Sequence, residues 1–209
     1  MVNIISKKKL KKGYMSQRLS KSSSRKDEII KIATRLFSEK SYHDVKMDEI
    51  AEELGIAKGT IYLYFKSKEQ LYLKILEDSH ESIESILEKE IANNDPSPVK
   101  LRKALSIIFS FYRRNLDVLK ILSRDETHLI KEHFEFTELW RKRRLKLYEK
   151  ILDKGIKEGS FSIQNTTLTA LIIFGLVRSV MFFYTTEKDS SIIAEEVYNV
   201  ISKGILNVR

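Results

Sequence analysis

The sequence predicts an all-α protein, and three observations carry that prediction. Apolar residues recur every three to four positions along most of the chain, the spacing of one helix face. No stretch alternates apolar and polar residues long enough to make a strand. The 209 residues hold only two prolines, both inside "NNDPSP" at 93–98, so the helical pattern has one clear break.

Taken in order, "DEIIKIATRLFSEK" puts Ile29, Ile30, Ala33, Leu36 and Phe37 on one face. Ser24 is placed to cap this helix, and Asp27 and Glu28 sit in its first turn, where the positive end of the helix dipole favours acids. "MDEIAEELG" repeats the pattern with Met47, Ile50, Ala51 and Leu54, and Gly55 supplies the C-terminal glycine. A short helix follows at roughly 58–65 and a long one at about 68–91. After the loop, Ser97 reads as a cap and Pro98 as the first residue of the next helix. Further helices are expected at about 98–114, 116–124, 126–158, 166–186 and 190–206, about nine in all.

Charge divides the chain unevenly. Lys7, Lys8, Lys9, Lys11, Lys12, Arg18, Lys21, Arg25 and Lys26 all precede the first acid, Asp27. These nine account for the whole net charge of +9, and everything after them sums to zero. Residues 1–22 therefore read as a basic, Ser-rich disordered leader on a neutral body. It is either a solubilising tail or an arm drawn to phosphate, because lysines near a polyanion release its counterions. The start has no apolar stretch of the kind a signal peptide needs, and the absence of cysteine suits the cytoplasm. The most apolar run, "LTALIIFGLVRSVMFFY" at 168–184, carries Arg178 near its middle and reads as a buried helix, not a membrane span.

Enzyme chemistry lacks its parts. The sequence has no Gly-rich phosphate loop, no nucleophile elbow and no cysteine nucleophile. His43, His80, His128 and His133 make no metal pair at helical spacing. No cofactor or metal is expected.

"GIAKGTIYLYFKSK" at 55–68 points elsewhere. Ala51, Gly55 and Ile61 have the spacing of two helices crossing sharply through a tight turn. The small Ala51 permits the approach, Gly55 takes the left-handed conformation, and Ile61 fills the angle. This is a helix-turn-helix with 58–65 aimed at a DNA major groove. The stretches "IIKIATRLFSEKSY", "MDEIAEELGIAKGTIYLYF" and "KSKEQLY" resemble the DNA-binding domain of TetR-type transcriptional repressors over Ile29 to Leu73. Two positions depart from that pattern. Ser41 replaces the usual glycine before the aromatic Tyr42, and Lys46 replaces the usual capping Thr or Ser.

The resemblance implies a DNA-binding domain at 23–83, with its motif at 46–65, and a helical effector-binding and dimerisation domain at 84–209. It implies that Lys58 and Gly59 meet base edges, that Thr60 and Tyr64 bond phosphates, and that Tyr62 and Leu63 make apolar or edge contacts. Lys68 matches a phosphate clamp, and Lys46 is left to reach a phosphate through its ammonium. Phe65 reads as core. The implied partners are an operator in double-stranded DNA, a second copy of the chain, and a small hydrophobic ligand.

The body is rich in aromatic residues, which suggests an apolar cavity between helices. Candidate lining residues are Phe109, Tyr112, Phe134, Trp140, Phe174, Arg178 and Phe182. Arg178 needs an anionic partner: either a carboxylate across a dimer interface or an anionic group on the ligand. The helix at 166–186 is apolar nearly all round and must be covered on two sides, with Gly175 permitting close approach. The last helix is expected to bury Ile193, Val197, Val200, Ile201 and Ile205, and "RKRR" at 141–144 to form a solvated face. The alternative function is a DNA-binding or nucleoid-type protein whose cavity is plain core.

Deleting residues 1–22 should leave folding and preferred DNA sequence unchanged while lowering DNA affinity most at low salt. Thermal unfolding and salt-titrated mobility shifts check this; a truncated chain that no longer folds would make the leader structural.

Overall fold

The computed structural model describes residues 24–125, 128, 131–184 and 188–205. The basic leader lies outside the described residues. The fold is all-α, as the periodicity predicts: α1 (24–39), α2 (Met47–Glu53), α3 (Lys58–Tyr64), α4 (Lys68–Ile91), α5 (Ser97–Arg114), α6 (Leu116–Arg124), α7 (Phe134–Lys157), α8 (Thr166–Phe183) and α9 (Ser190–Ile205). Among the described residues there is no β-strand. The chain forms two compact units that divide between Ile75 and Leu76, inside α4 and earlier than the boundary at 83.

The first unit closes a small core from Ile29, Ala33, Phe37, Ile50, Ile61 and Leu71, each fully buried. Tyr72 meets Phe37 edge-on, with ring centroids 5.0 Å apart, and Tyr42 at 4.8 Å. Around this core α1 is tied to α2 by the ion pairs Arg35–Glu53 and Lys40–Glu49. Ser24 is already helical and so is not the cap of α1.

α4 has a different start. Ser67 Oγ accepts the Gln70 N–H at 3.0 Å, and Gln70 Oε1 accepts the Lys66 N–H at 2.6 Å, a reciprocal arrangement close to a capping box.

In the second unit α9 packs along α5, α7 along α8, and α5 also meets α7. Leu101, Ala104, Leu105, Leu152 and Ala170 are fully enclosed at the centre. Two boundaries and one burial assignment differ from those read in the sequence. α5 starts at Ser97 itself, whose N–H donates to Glu158 Oε2 at 3.0 Å, so Ser97 is not a side-chain cap. The stretch read as one helix from 126 is broken at His133, whose non-helical conformation separates the helical residues Lys131 and Glu132 from the start of α7 at Phe134. Val200 is 65% exposed and does not belong to the buried stripe of α9.

α8 is long and apolar enough to cross a membrane by composition, yet it buries only Ala170, Ile173 and Val177 against its own chain. Leu168, Leu171, Ile172 and Phe183 stay exposed, as do Ile192 and Val200 on α9. The covering expected on its second side is not supplied by the described residues.

The end of α7 shows how tightly this unit is packed. Gly159 has φ 70° and closes a Schellman motif: its N–H bonds Ile156 O at 3.0 Å, and the Ser160 N–H bonds Gly155 O at 2.9 Å. The chain then folds Phe161 back over Gly155, so closely that a Cβ on Gly155 would lie 2.0 Å from the ring. Alanine normally gains about 1 kcal/mol over glycine in a helix. Here the collision outweighs that gain, and Gly155→Ala should destabilise the protein by about 1–3 kcal/mol. Chemical denaturation checks this, and a stabilised variant would show that Phe161 moves aside freely.

Candidate DNA-reading surface and internal cavity

The turn between α2 and α3 is built by backbone. Gly55 has φ 63°, its N–H reaches Glu52 O at 3.0 Å, and the Ile56 N–H reaches Ala51 O at 3.0 Å, a second Schellman motif. Ile61 is fully buried and Ala51 nearly so, which fixes the crossing as their spacing predicts. The opposite side of α3 is then presented outward. Lys58, Gly59 and Leu63 are exposed, while Thr60, Tyr62 and Tyr64 are half-buried.

Two features of this face bear on what it can touch. Leu63 is 76% exposed, a large apolar side chain held in water by its helix register. A Cβ on Gly59 would meet nothing within 4 Å, so the protein's own packing gives no reason for a glycine there. Lys58 Nζ donates to Asp48 Oδ2 at 2.7 Å, and this pair raises the lysine's pKa. The pair is fully open to solvent, so a DNA phosphate competes with Asp48 on equal terms.

Lys46 is exposed at the N-cap of α2 and forms no side-chain cap. Half of a capping box survives: the Glu49 carboxylate accepts the Lys46 backbone N–H and is held below its usual pKa, chiefly by Lys40.

Lys68 has an inward role. Its ammonium donates to the carbonyls of Tyr42 (2.7 Å), Val45 (3.0 Å) and His43 (3.3 Å), and lies 4.5 Å from the Tyr42 ring centroid. Partial burial lowers its pKa. The ammonium therefore fastens the α1–α2 loop, in addition to any phosphate clamp of the kind that sequence resemblance implies. Ser41 fits the same loop without a left-handed backbone: its hydroxyl bonds Asp44 at 2.6 Å.

The second unit contains a cavity of about 270 Å³. Of the candidates named from sequence, Tyr112, Phe134, Trp140, Phe174, Arg178 and Phe182 line it. Phe109 does not; it belongs to the buried core. Arg178 is half-buried, its guanidinium is 5.3 Å from the Phe182 ring centroid, and burial lowers its pKa.

The sequence reading missed His80, Glu138, Arg141, Arg144 and Tyr148, which also line the cavity. "RKRR" is a solvated face only in part: Lys142 and Arg143 are exposed, but the other two turn inward. Arg144 is only 8% exposed, Arg141 is held by Glu138 at 2.7 and 2.8 Å, and Arg143 lies 4.6 Å over the Trp140 ring and 3.7 Å from Glu84. A signal was available. Trp140, Arg144 and Tyr148 are spaced four apart, so a helix buries either all three or none.

Arg144 organises its surroundings electrostatically. Burial pushes the Tyr148 phenol up to about 12, and Arg144 opposes that rise. It likewise opposes the burial-driven rise of Glu84. His80 stacks on Trp140 with ring centroids 4.8 Å apart. Part of its surface is accessible because it lines the cavity, yet protein encloses it, and burial together with Arg144 takes its pKa down to about 3. His80 is neutral in the folded protein at any ordinary pH.

This fold and these surfaces define a helix-turn-helix transcriptional regulator whose DNA-reading unit is joined to a hollow helical unit. Residues 29–75 match the model for bacterial regulatory proteins of the tetR family, and residues 94–204 match the tetracyclin repressor-like C-terminal domain. The chain belongs to the TetR family. The transcriptional regulator YdgC of Bacillus subtilis (strain 168) is 26% identical over 194 residues, covering 85% of this chain and 91% of that protein. The fatty acid metabolism regulator protein of the same organism is 28% identical over 153 residues, covering 72% and 78%. Among solved structures, Bacillus subtilis FadR in complex with stearoyl-CoA superposes with a TM-score of 0.77 at 23% identity, covering 85% of this chain and 97% of that one. KstR2 of Mycobacterium tuberculosis superposes at 0.74 with 19% identity, covering 88% and 96%.

His80 gives a pH dependence with a definite sign. The unfolded chain takes up a proton below about pH 6.5 while the folded one resists until about pH 3. Stability should therefore be fully present above pH 6.5 and fall as pH drops, by roughly 2 kcal/mol at pH 5 from this group. Denaturation midpoints from pH 7.5 to 5 check this. His80→Phe, which keeps a ring against Trp140, should flatten the slope; an unchanged slope would assign it to other groups.

Proposed function

We propose that the protein is a ligand-responsive repressor that binds a palindromic operator as a homodimer and is released by a small apolar molecule. The observation that carries this is the aromatic-lined cavity, whose wall includes His80 of α4. The same helix begins at Lys68, which fastens the loop ahead of the reading motif. A ligand that favours one arrangement of α4 thereby alters operator affinity, by a coupling energy of about 1–3 kcal/mol. The relatives support an apolar ligand: one is named for fatty acid metabolism, and one related fold carries stearoyl-CoA.

In this reading Lys58, Gly59, Tyr62 and Leu63 meet base edges, and Thr60, Tyr64 and Lys46 meet phosphates. Gly59 suits close approach by DNA, since nothing inside the protein requires it. Lys68 acts through the loop it holds. The exposed apolar faces of α8 and α9 meet their counterparts in a second copy, as a four-helix arrangement around Gly175, where added atoms meet open space in the single chain. Bound to DNA, the protein works in the cytoplasm.

Selection from random duplexes should return two-fold symmetric sites with half-sites about one helical turn apart or slightly more. Lys58→Ala should relax base preference at one position of each half-site. Gly175→Leu should leave the fold intact, shift sedimentation from dimer to monomer, and weaken operator binding at least tenfold. Asymmetric selected sites, or a Gly175→Leu variant that still dimerises, would overturn the operator or dimer assignment respectively. Operator binding that no apolar compound alters would favour a regulator without an inducer.

A further inference from the structure

The reading motif is not basic. Residues 46–65 hold four carboxylates, Asp48, Glu49, Glu52 and Glu53, against two ammonium groups, Lys46 and Lys58. Glu49 and Glu53 are paired with Lys40 and Arg35, cations that come from outside the motif. Asp48 is paired differently. It takes Lys58, the one charged residue of α3, whose Nζ donates to Asp48 Oδ2 at 2.7 Å across ten positions of the chain.

Folding gains little from that contact. Both side chains keep more than half of their surface in solvent, and ion pairs so exposed stabilise a protein weakly. The pair matters for the place it occupies, at the N-terminal ends of both helices of the motif. Its neighbours show the contrast. Lys66 Nζ donates to Tyr62 O at 3.2 Å, and Lys68 donates to the carbonyls of Tyr42, His43 and Val45. Carbonyls are neutral, so those lysines keep their whole charge for DNA. Lys58 does not.

A duplex offers an ammonium two kinds of acceptor. Phosphates are anionic and the same at every step, whereas the O6 and N7 of guanine are neutral and mark one base. A phosphate that draws Lys58 away leaves Asp48 unpaired beside it, so two anions stand together. A guanine edge needs no such exchange, since an ammonium has three N–H donors and one on Asp48 leaves two. Asp48 also brings an acceptor oxygen to the same spot, which suits the N4 amino group of the cytosine opposite.

We infer that Asp48 is a specificity-determining residue: it holds the Lys58 ammonium for a G·C base pair and makes it a poor ligand for phosphate. The inference rests on the reading above in which Lys58 meets base edges, and adds the carboxylate that makes this lysine selective. Discrimination then comes from a repulsive element and not from a further attraction.

The test uses the full chain, selection from random duplexes, and mobility shifts on a selected and a scrambled duplex across a salt series. Asp48→Asn should bind the scrambled duplex about fivefold or more tightly, with a salt dependence steeper by about one phosphate contact. Its affinity for the selected duplex should change by less than about twofold, so discrimination falls. Selection repeated with Asp48→Asn should lose the G·C preference at the position that Lys58→Ala relaxes. In a Lys58→Ala background, Asp48→Asn should leave discrimination unchanged. Glu52→Gln, which removes another exposed carboxylate of α2, should leave it unchanged too. Undiminished discrimination in Asp48→Asn, an equal loss in Glu52→Gln, or an effect that persists without Lys58 overturns the role of Asp48 while leaving the operator reading standing. A Lys58→Ala variant that relaxes no position overturns the base contact of Lys58 and this inference with it.

Discussion

Helices cover one another only along stripes, and this chain has more apolar stripe than a single subunit can cover. That constraint shapes the body. α5 and α9 satisfy each other, and α7 and α8 do so in part. α8 is apolar on nearly every side, so burying Ala170, Ile173 and Val177 leaves Leu168, Leu171 and Ile172 facing outward. At the other extreme, the large rings of Phe174, Phe182, Tyr112 and Trp140 do not interdigitate to native density, and the unfilled space between them is the cavity. The outer face and the inner void are thus two results of one packing problem.

Charge has been admitted to the interior on terms that are only partly met. Arg144 is nearly buried, beside a neutral histidine, two tyrosines and a glutamate whose pKa is itself raised by burial. Replacing such a group by an apolar one of similar volume often costs nothing or even stabilises a fold. A structural account alone therefore explains Arg144 poorly. The DNA-reading unit makes the opposite choice: apart from Ser38 its described buried positions are apolar or aromatic, and Lys58, Asp48, Arg35 and Glu53 sit at the surface, where ion pairs exchange readily.

The parts of this structure that were legible in the sequence are those set by local rules. Gly55, Ala51 and Ile61 announce the turn because only a glycine tolerates that backbone and only small and branched residues fit that angle. Six of the seven proposed cavity residues were found because aromatics cluster where helices leave room. What stayed hidden depends on partners distant in sequence. Lys68 looked like a surface lysine until the loop at Tyr42–Val45 came round to meet it. "RKRR" looked solvated because composition spoke louder than the four-residue spacing that buries Arg144 with Trp140 and Tyr148. Val200 was assigned to the core by its type, and its exposure follows from which side of α9 meets α5.

The pairing of α5 with α9 also sets an order in time. Arg102 on α5 bonds Glu195 on α9 at 2.6 Å, a contact that spans 93 positions of the chain. The first unit draws its compact core from residues up to Ile75, so that core can close while the rest is still being made. The body cannot complete its own core until α9 has left the ribosome, which at about 5–20 residues per second is a delay on the order of ten seconds. During that interval a finished DNA-reading head is tethered to a half-built body with α5 and α8 uncovered. Newly made chains are then most exposed to chaperones and proteases, and a stop codon just ahead of α9 would leave a head that folds on a body that does not.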